Sequence, residues 1–168
     1  MINLALVNNR PRVMTMKETM QEFLKFREEV VVRRTRFDLN KAEERAHILE
    51  GYRIALDHID EIVELIKKSD SPEIARAGLM AGFGLSEKQA QAILDLRLAR
   101  LTGLERRKIE EEYRELLALI GRLRAILADR ALQLQIIREE IAELRGKYSD
   151  DRRTTIEPEE DDLDLEDL

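Results

Sequence analysis

The sequence contains no cysteine and no tryptophan, only two histidines, three prolines and seven glycines, and 4% aromatic residues. The lack of thiols rules out a disulfide scaffold, a cysteine-based zinc finger and a thiol nucleophile. His47 and His58 lie eleven residues apart, close to three helical turns. They share one side of a helix but sit about 16 Å apart, too far to be co-ligands. The shortage of aromatic residues, Val and Thr argues against a compact β-sandwich or a parallel α/β sheet. No stretch reaches the roughly 18–20 uncharged apolar residues of a membrane span, and Met1–Val7 lacks the basic start of a signal peptide. The expectation is a soluble, cytoplasmic protein with no membrane partner.

Helix formers fill the space left by these absences. Ala, Glu, Lys, Leu and Arg supply 92 of the 168 residues, a share typical of long helices and coiled coils. The formal net charge of −6 is unevenly spread. Residues 149–168 hold ten acids against Arg152 and Arg153, giving −8 and leaving +2 on residues 1–148. Such a tail reads as a solvated linker, and a near-neutral body is unlike that of a DNA-coating protein.

The chain divides into five segments. In 1–16, two short apolar runs flank Asn8-Asn9, residues that tolerate the positive φ of a hairpin turn. An isolated hairpin is marginal, so this one should lean on something else. In 17–69, Thr15-Met16-Lys17-Glu18 is a capping box that opens a long helix. Its stripe is Met20, Phe23, Val30 and Phe37, then, after a shift, Leu49, Tyr52, Leu56, Ile59, Val63 and Ile66. The charge-rich interval between Phe37 and Leu49 predicts a break or kink. In 70–103, Ser71-Pro72 starts a short helix ended by Gly82-Phe83-Gly84, and Ser86-Glu87-Lys88-Gln89 opens another, read to Leu101. In 104–148, behind a capping box at Thr102–Glu105, the seam is Ile109, Tyr113, Leu116, Ile120, Leu123, Leu127, Arg130, Leu134, Ile137, Ile141, Leu144 and Tyr148. The last segment, 149–168, is the acidic tail. The expected fold is all-α: a long antiparallel two-helix coiled-coil stalk, a small helical globule at its tip, and a short N-terminal β-hairpin.

Both stalk helices spend their stripes on each other, so surplus apolar surface falls at the tip. On a helical wheel the 86–101 helix shows one arc of Ala90, Ile93, Leu94, Leu98 and Leu101 and a second of Ala92, Leu96 and Ala99. The second arc suits a contact with a second copy, with Ile93, Gln89 and Ile74 beside it. The alternative is a knob that buries both arcs internally. A tip-to-tip contact would fall near or below the standard interface of about 1,600 Å², small enough to open under load. Chemistry is sparse. Tyr52, Tyr113 and Tyr148 lie on seams and read as packing residues rather than nucleophiles. Arg33, Arg34 and Arg36 read either as a solvated face paired with Glu28, Glu29, Glu43 and Glu44 or as a weak phosphate contact. There is no Gly-rich phosphate loop, no calcium-loop spacing in the acidic tail, and no catalytic constellation.

Three stretches carry a resemblance. Val30–Phe37 with Lys41–Gly51, Leu85–Leu98 continuing through Leu101–Glu105, and Arg152-Arg153-Thr154 resemble the descending coiled coil of bacterial DNA gyrase A subunits, with topoisomerase IV A subunits similar in this region. The resemblance implies a piece of an ATP-dependent type IIA topoisomerase, specifically its exit gate (C-gate). There, two subunits meet at tip knobs and part to release a transported DNA duplex. It implies a homodimer, a partnership with the gyrase B subunit in an A2B2 enzyme, and ATP and Mg held by that partner, with no cofactor, metal or catalytic residue in this chain. It also implies that residues 1–16 belong to a tower region, that Met1 is an added start, and that the tail leads toward a DNA-wrapping domain. The rival reading from composition is a helical arm with a binding tip, unrelated to DNA. An unsupported hairpin at one end and a truncated acidic linker at the other fit that rival poorly.

Overall fold

A computed structural model of the protein describes residues 3–96 and 103–155. The chain runs β1 (Leu4–Val7), β2 (Arg10–Val13), α1 (Met16–Asp57), α2 (Ile59–Lys68), α3 (Pro72–Phe83), α4 (Glu87–Leu94), α5 (Gly103–Ala128) and α6 (Arg130–Tyr148). The expected hairpin is present: β1 and β2 pair antiparallel with Leu4 opposite Val13 and Val7 opposite Arg10. Asn8 and Asn9, at φ 51° and 61°, make the tight turn. The capping box follows directly, with the Thr15 amide donating to Glu18 Oε2 at 2.8 Å and the Glu18 amide donating to Thr15 Oγ1 at 3.3 Å.

α1 continues for 42 residues, about 60 Å, straight through the stretch where a break is expected. Its buried positions explain why. Thr35, Ala42, Leu49 and Leu56 recur in steps of seven, with Val31 and Ala46 beside them, so the stripe needs no shift. Ala42 and Ala46 pack with Ile120, Tyr113 and Leu116, and Leu49 and Leu56 pack with Ile109. Phe37, expected on this seam, is instead 66% exposed, and Met20 and Phe23 are exposed with it. Phe23 and Phe37, two heptads apart, are turned away from the seam, which is made of smaller side chains.

Ion pairs give the direction of the second strand of the helical pair. Arg27 and Arg34 both reach Glu140, Glu28 takes Arg130, Glu43 takes Arg124, Arg45 takes Glu112, and Asp57 takes Arg106. Along α5 the partner numbers fall from Arg124 to Arg106 as α1 numbers rise, so α5 runs antiparallel to α1, and α6 meets α1 around Arg27–Arg34.

The returning strand is not one helix. Asp129 leaves helical geometry (φ −122°, ψ 112°), and its carboxylate accepts from the Ala131 amide at 2.8 Å, capping α6. Gln133, one turn on, is buried and donates from Nε2 to the Ile126 carbonyl at 2.9 Å, satisfying the end of α5. Asp competes with the helix ladder in this way because its short side chain reaches nearby amides. The seam position Arg130 is exposed and holds Glu28 through two bonds of 3.0 and 2.9 Å. Below Ile137 the stripe is uncovered: Ile141 and Leu144 are exposed, and Tyr148 is 76% exposed.

A second interruption divides the outgoing segment at His58 (φ −119°, ψ 33°). The end of α1 together with α2, α3 and α4 builds a terminal lobe around Ala55, Ile62, Leu79, Leu85, Ala90 and Ile93. Ala55 and Ile62, ahead of residue 70, thus share a core with α3 and α4. Gly84 supplies the left-handed residue (φ 64°) that ends α3.

Candidate functional site

α4 packs against α1 and α3, burying Gln89, Ala90 and Ile93. Its capping box forms as read from the sequence: the Gln89 amide donates to Ser86 Oγ at 3.2 Å, and the Ser86 amide donates to Gln89 Oε1 at 2.9 Å. The helix is shorter than expected, stopping at Leu94, with Asp95 accepting from the Gln91 side chain at 3.1 Å and the Leu96 amide turning back to Ile93 O at 3.1 Å. Leu96 therefore lies past the helix end and is half-buried. Ala99 and the remaining stretch to Leu101 lie outside the described residues.

The other expected contact residues divide between surface and interior. Ile74 on α3 is 55% exposed and Ala92 is half-buried. Ile93 and Gln89 point inward. Ile93 belongs to the lobe core, and Gln89, 5% exposed, donates from Nε2 to the His47 carbonyl at 2.8 Å. Ser86 Oγ lies 2.7 Å from His47 Nε2. Opposite Gln89 stands Gly51, where a Cβ would come within 2.9 Å of the Gln89 side chain. His47, Gly51, Ser86 and Gln89 thus form one joint that seats α4 on α1. Sequence reasoning alone does not assemble this joint. The signals for it are Gly51, the only glycine in α1, and the capping-box glutamine.

The basic stretch of α1 is split between two faces. Arg34 turns to Glu140 at 2.8 Å, and this contact, followed by the nearby Arg27, holds the Glu140 carboxyl below its ordinary range against the opposing effect of burial. Likewise Glu112 raises Arg45, through bonds of 2.7 and 2.9 Å. Arg33 and Arg36 are exposed and make no ion pair among the described residues. Of the seam tyrosines, Tyr52 and Tyr113 pack between the helices, with the Arg53 guanidinium 4.8 Å over the Tyr113 ring. No group of three or more His, Asp or Glu among the described residues could hold a metal ion.

The family model for the A subunit of DNA gyrase/topoisomerase IV matches residues 1–142. The chain belongs to that family. It is 59% identical over 165 residues to the DNA gyrase A subunit of Clostridium acetobutylicum, covering 98% of this chain and 20% of that protein. The corresponding protein of Halalkalibacterium halodurans is 58% identical over 165 residues, with 98% and 20% covered. That of Staphylococcus aureus is 55% identical over 166 residues, with 98% and 19% covered. The chain spans about a fifth of the length of these relatives. No helix among the described residues of this family member is long and apolar enough to cross a membrane.

Proposed function

We propose that this chain is the exit-gate segment of a gyrase-type A subunit. In this reading α1 pairs with α5 and α6 as a coiled-coil stalk, and two copies meet through the terminal lobe. The face around Ile74, Ala92, Leu96 and Ala99 makes the contact, with Gln89 and Ile93 fixing it from behind. The contact holds two subunits together and parts to release a transported DNA duplex during ATP-dependent strand passage, with the gyrase B subunit supplying ATP and Mg in an A2B2 enzyme. The relatives at 55–59% identity are DNA gyrase A subunits, which favours gyrase over topoisomerase IV.

One observation carries the reading. The stalk seam around Ala42, Ala46, Leu49 and Ile120 is closed within a single chain, while exposed Ile74 and half-buried Leu96 remain on the lobe. A gate has to separate without unfolding, and a pair of helices whose stripe is buried internally loses nothing when two lobes part. Sedimentation over a dilution series tests it: the chain should be a dimer, and Leu96→Glu and Ile74→Glu should each give a monomer of unchanged helicity. Dimers that persist in both variants would overturn the reading.

A further inference from the structure

We infer that the outer face of α1 at Arg33, Arg36 and Lys41 is a docking site for the phosphate backbone of duplex DNA. The inference rests on the gate reading for its context but on separate residues. Among the cations of α1, Arg27, Arg34 and Arg45 reach carboxylates of α5 and α6. Arg33, Arg36 and Lys41 are exposed and have no carboxylate within ion-pair distance among the described residues.

The neighbouring acids are turned elsewhere. Asp38 lines a groove with Arg34, Leu119 and Arg122 on the α5 side. Glu44 faces Lys88 of α4 at 3.6 Å. Glu29, one turn below Arg33, lines the groove beneath the hairpin and does not reach Arg33.

The three cations are spread over nine residues, about 12 Å of helix axis, and flank Phe37, which stands in solvent. Arg33, Phe37 and Lys41 follow one another at steps of four, so they share a face. Covering this face with a protein surface would desolvate three cations, at a cost that only matched carboxylates could offset. A polyanion needs no such match: each phosphate contact releases condensed counterions and requires only a point charge. Charge complementarity therefore selects duplex DNA, held without base readout.

Fluorescence anisotropy of a labelled duplex titrated with this chain tests the inference. Binding should be weak and steeply salt-dependent. Three lost contacts should lower the log–log salt slope by about 2.7 units, equivalent to roughly 40-fold in affinity over a fourfold change in salt. The combined variant Arg33→Glu, Arg36→Glu, Lys41→Glu should lose this component, and lysine at 33 and 36 should keep most of it. Should charge reversal disturb the helix, the Gln versions at the same three positions carry the test.

Equal weakening by reversal of the exposed Arg107 and Arg138 would overturn the inference, since binding would then be diffuse. So would no binding by the unmodified chain at low salt, or a Phe37→Ser variant that changes sedimentation while leaving DNA affinity intact, which would mark a protein contact. A chain that dimerises but ignores DNA sinks only this inference. A monomer that binds DNA through these residues sinks only the gate.

Discussion

The outgoing and returning strands of the helical pair differ in a way that apolar content does not explain. α1 carries Arg33, Arg34, Arg36, Lys41, Glu43, Glu44 and Arg45 within thirteen residues and runs unbroken. The returning strand is apolar at nearly every heptad step, yet it breaks between α5 and α6. Continuity depends on small side chains at the contact and on the absence of a competing cap. Thr35, Ala42 and Ala46 let α1 lie close to its partner, while the charges point outward to solvent or across to carboxylates. Asp129 offers its own chain an alternative to the helix ladder and takes it.

The contrast can be tested by substitution. Leu49 is wholly buried, so Leu49→Ala should cost about 2–5 kcal/mol in urea unfolding. Leu144→Ala, on the uncovered end of the returning stripe, should stay within about 0.5 kcal/mol. Similar losses at the two sites would mean that the returning stripe is covered to its end. Gly51→Ala should cost about 1–3 kcal/mol through overpacking, with the pair Gly51→Ala, Gln89→Ala recovering part of it; two additive losses would deny the contact. Asp129→Ala should cost about 1 kcal/mol for the lost cap. Asp129→Ala combined with Gln133→Leu should slow amide exchange at 126–133 as α5 and α6 join, and unchanged exchange would place the cause of the break elsewhere.

The smallest expected effect is on pH dependence. The Glu140 carboxyl is depressed below 4.5 in the folded chain, first by its bond to Arg34. Its contribution is therefore present above the unfolded value and is lost as pH falls through the lower folded one. Acid unfolding monitored below about pH 4.5 should be less steep in Glu140→Gln than in the unmodified chain. An identical slope would remove Glu140 from the account.

Features set by local chemistry are legible in the sequence. The Asn8-Asn9 turn, the boxes at Thr15 and Ser86, Pro72 at a helix start and Gly84 at a helix end depend only on neighbours in the chain, and all are in place. The seam of α1 escapes such a reading because Thr35 and Ala42 are not conspicuous hydrophobic residues, whereas Phe23 and Phe37, the conspicuous ones, are turned away from it. The break at Asp129 is hidden because a lone aspartate is tolerated in many helices and only the paired response of Gln133 makes it a boundary. At the lobe, small residues on α4 point to a close approach. That Gln89 is used inside the chain becomes visible only once Gly51 stands opposite it.

Because α4 is clasped to α1 through Gly51 and Gln89, the outgoing helix acts as the lever arm of the lobe. A roll of α1 about its own axis turns α4 by the same angle and re-aims the surface next to it.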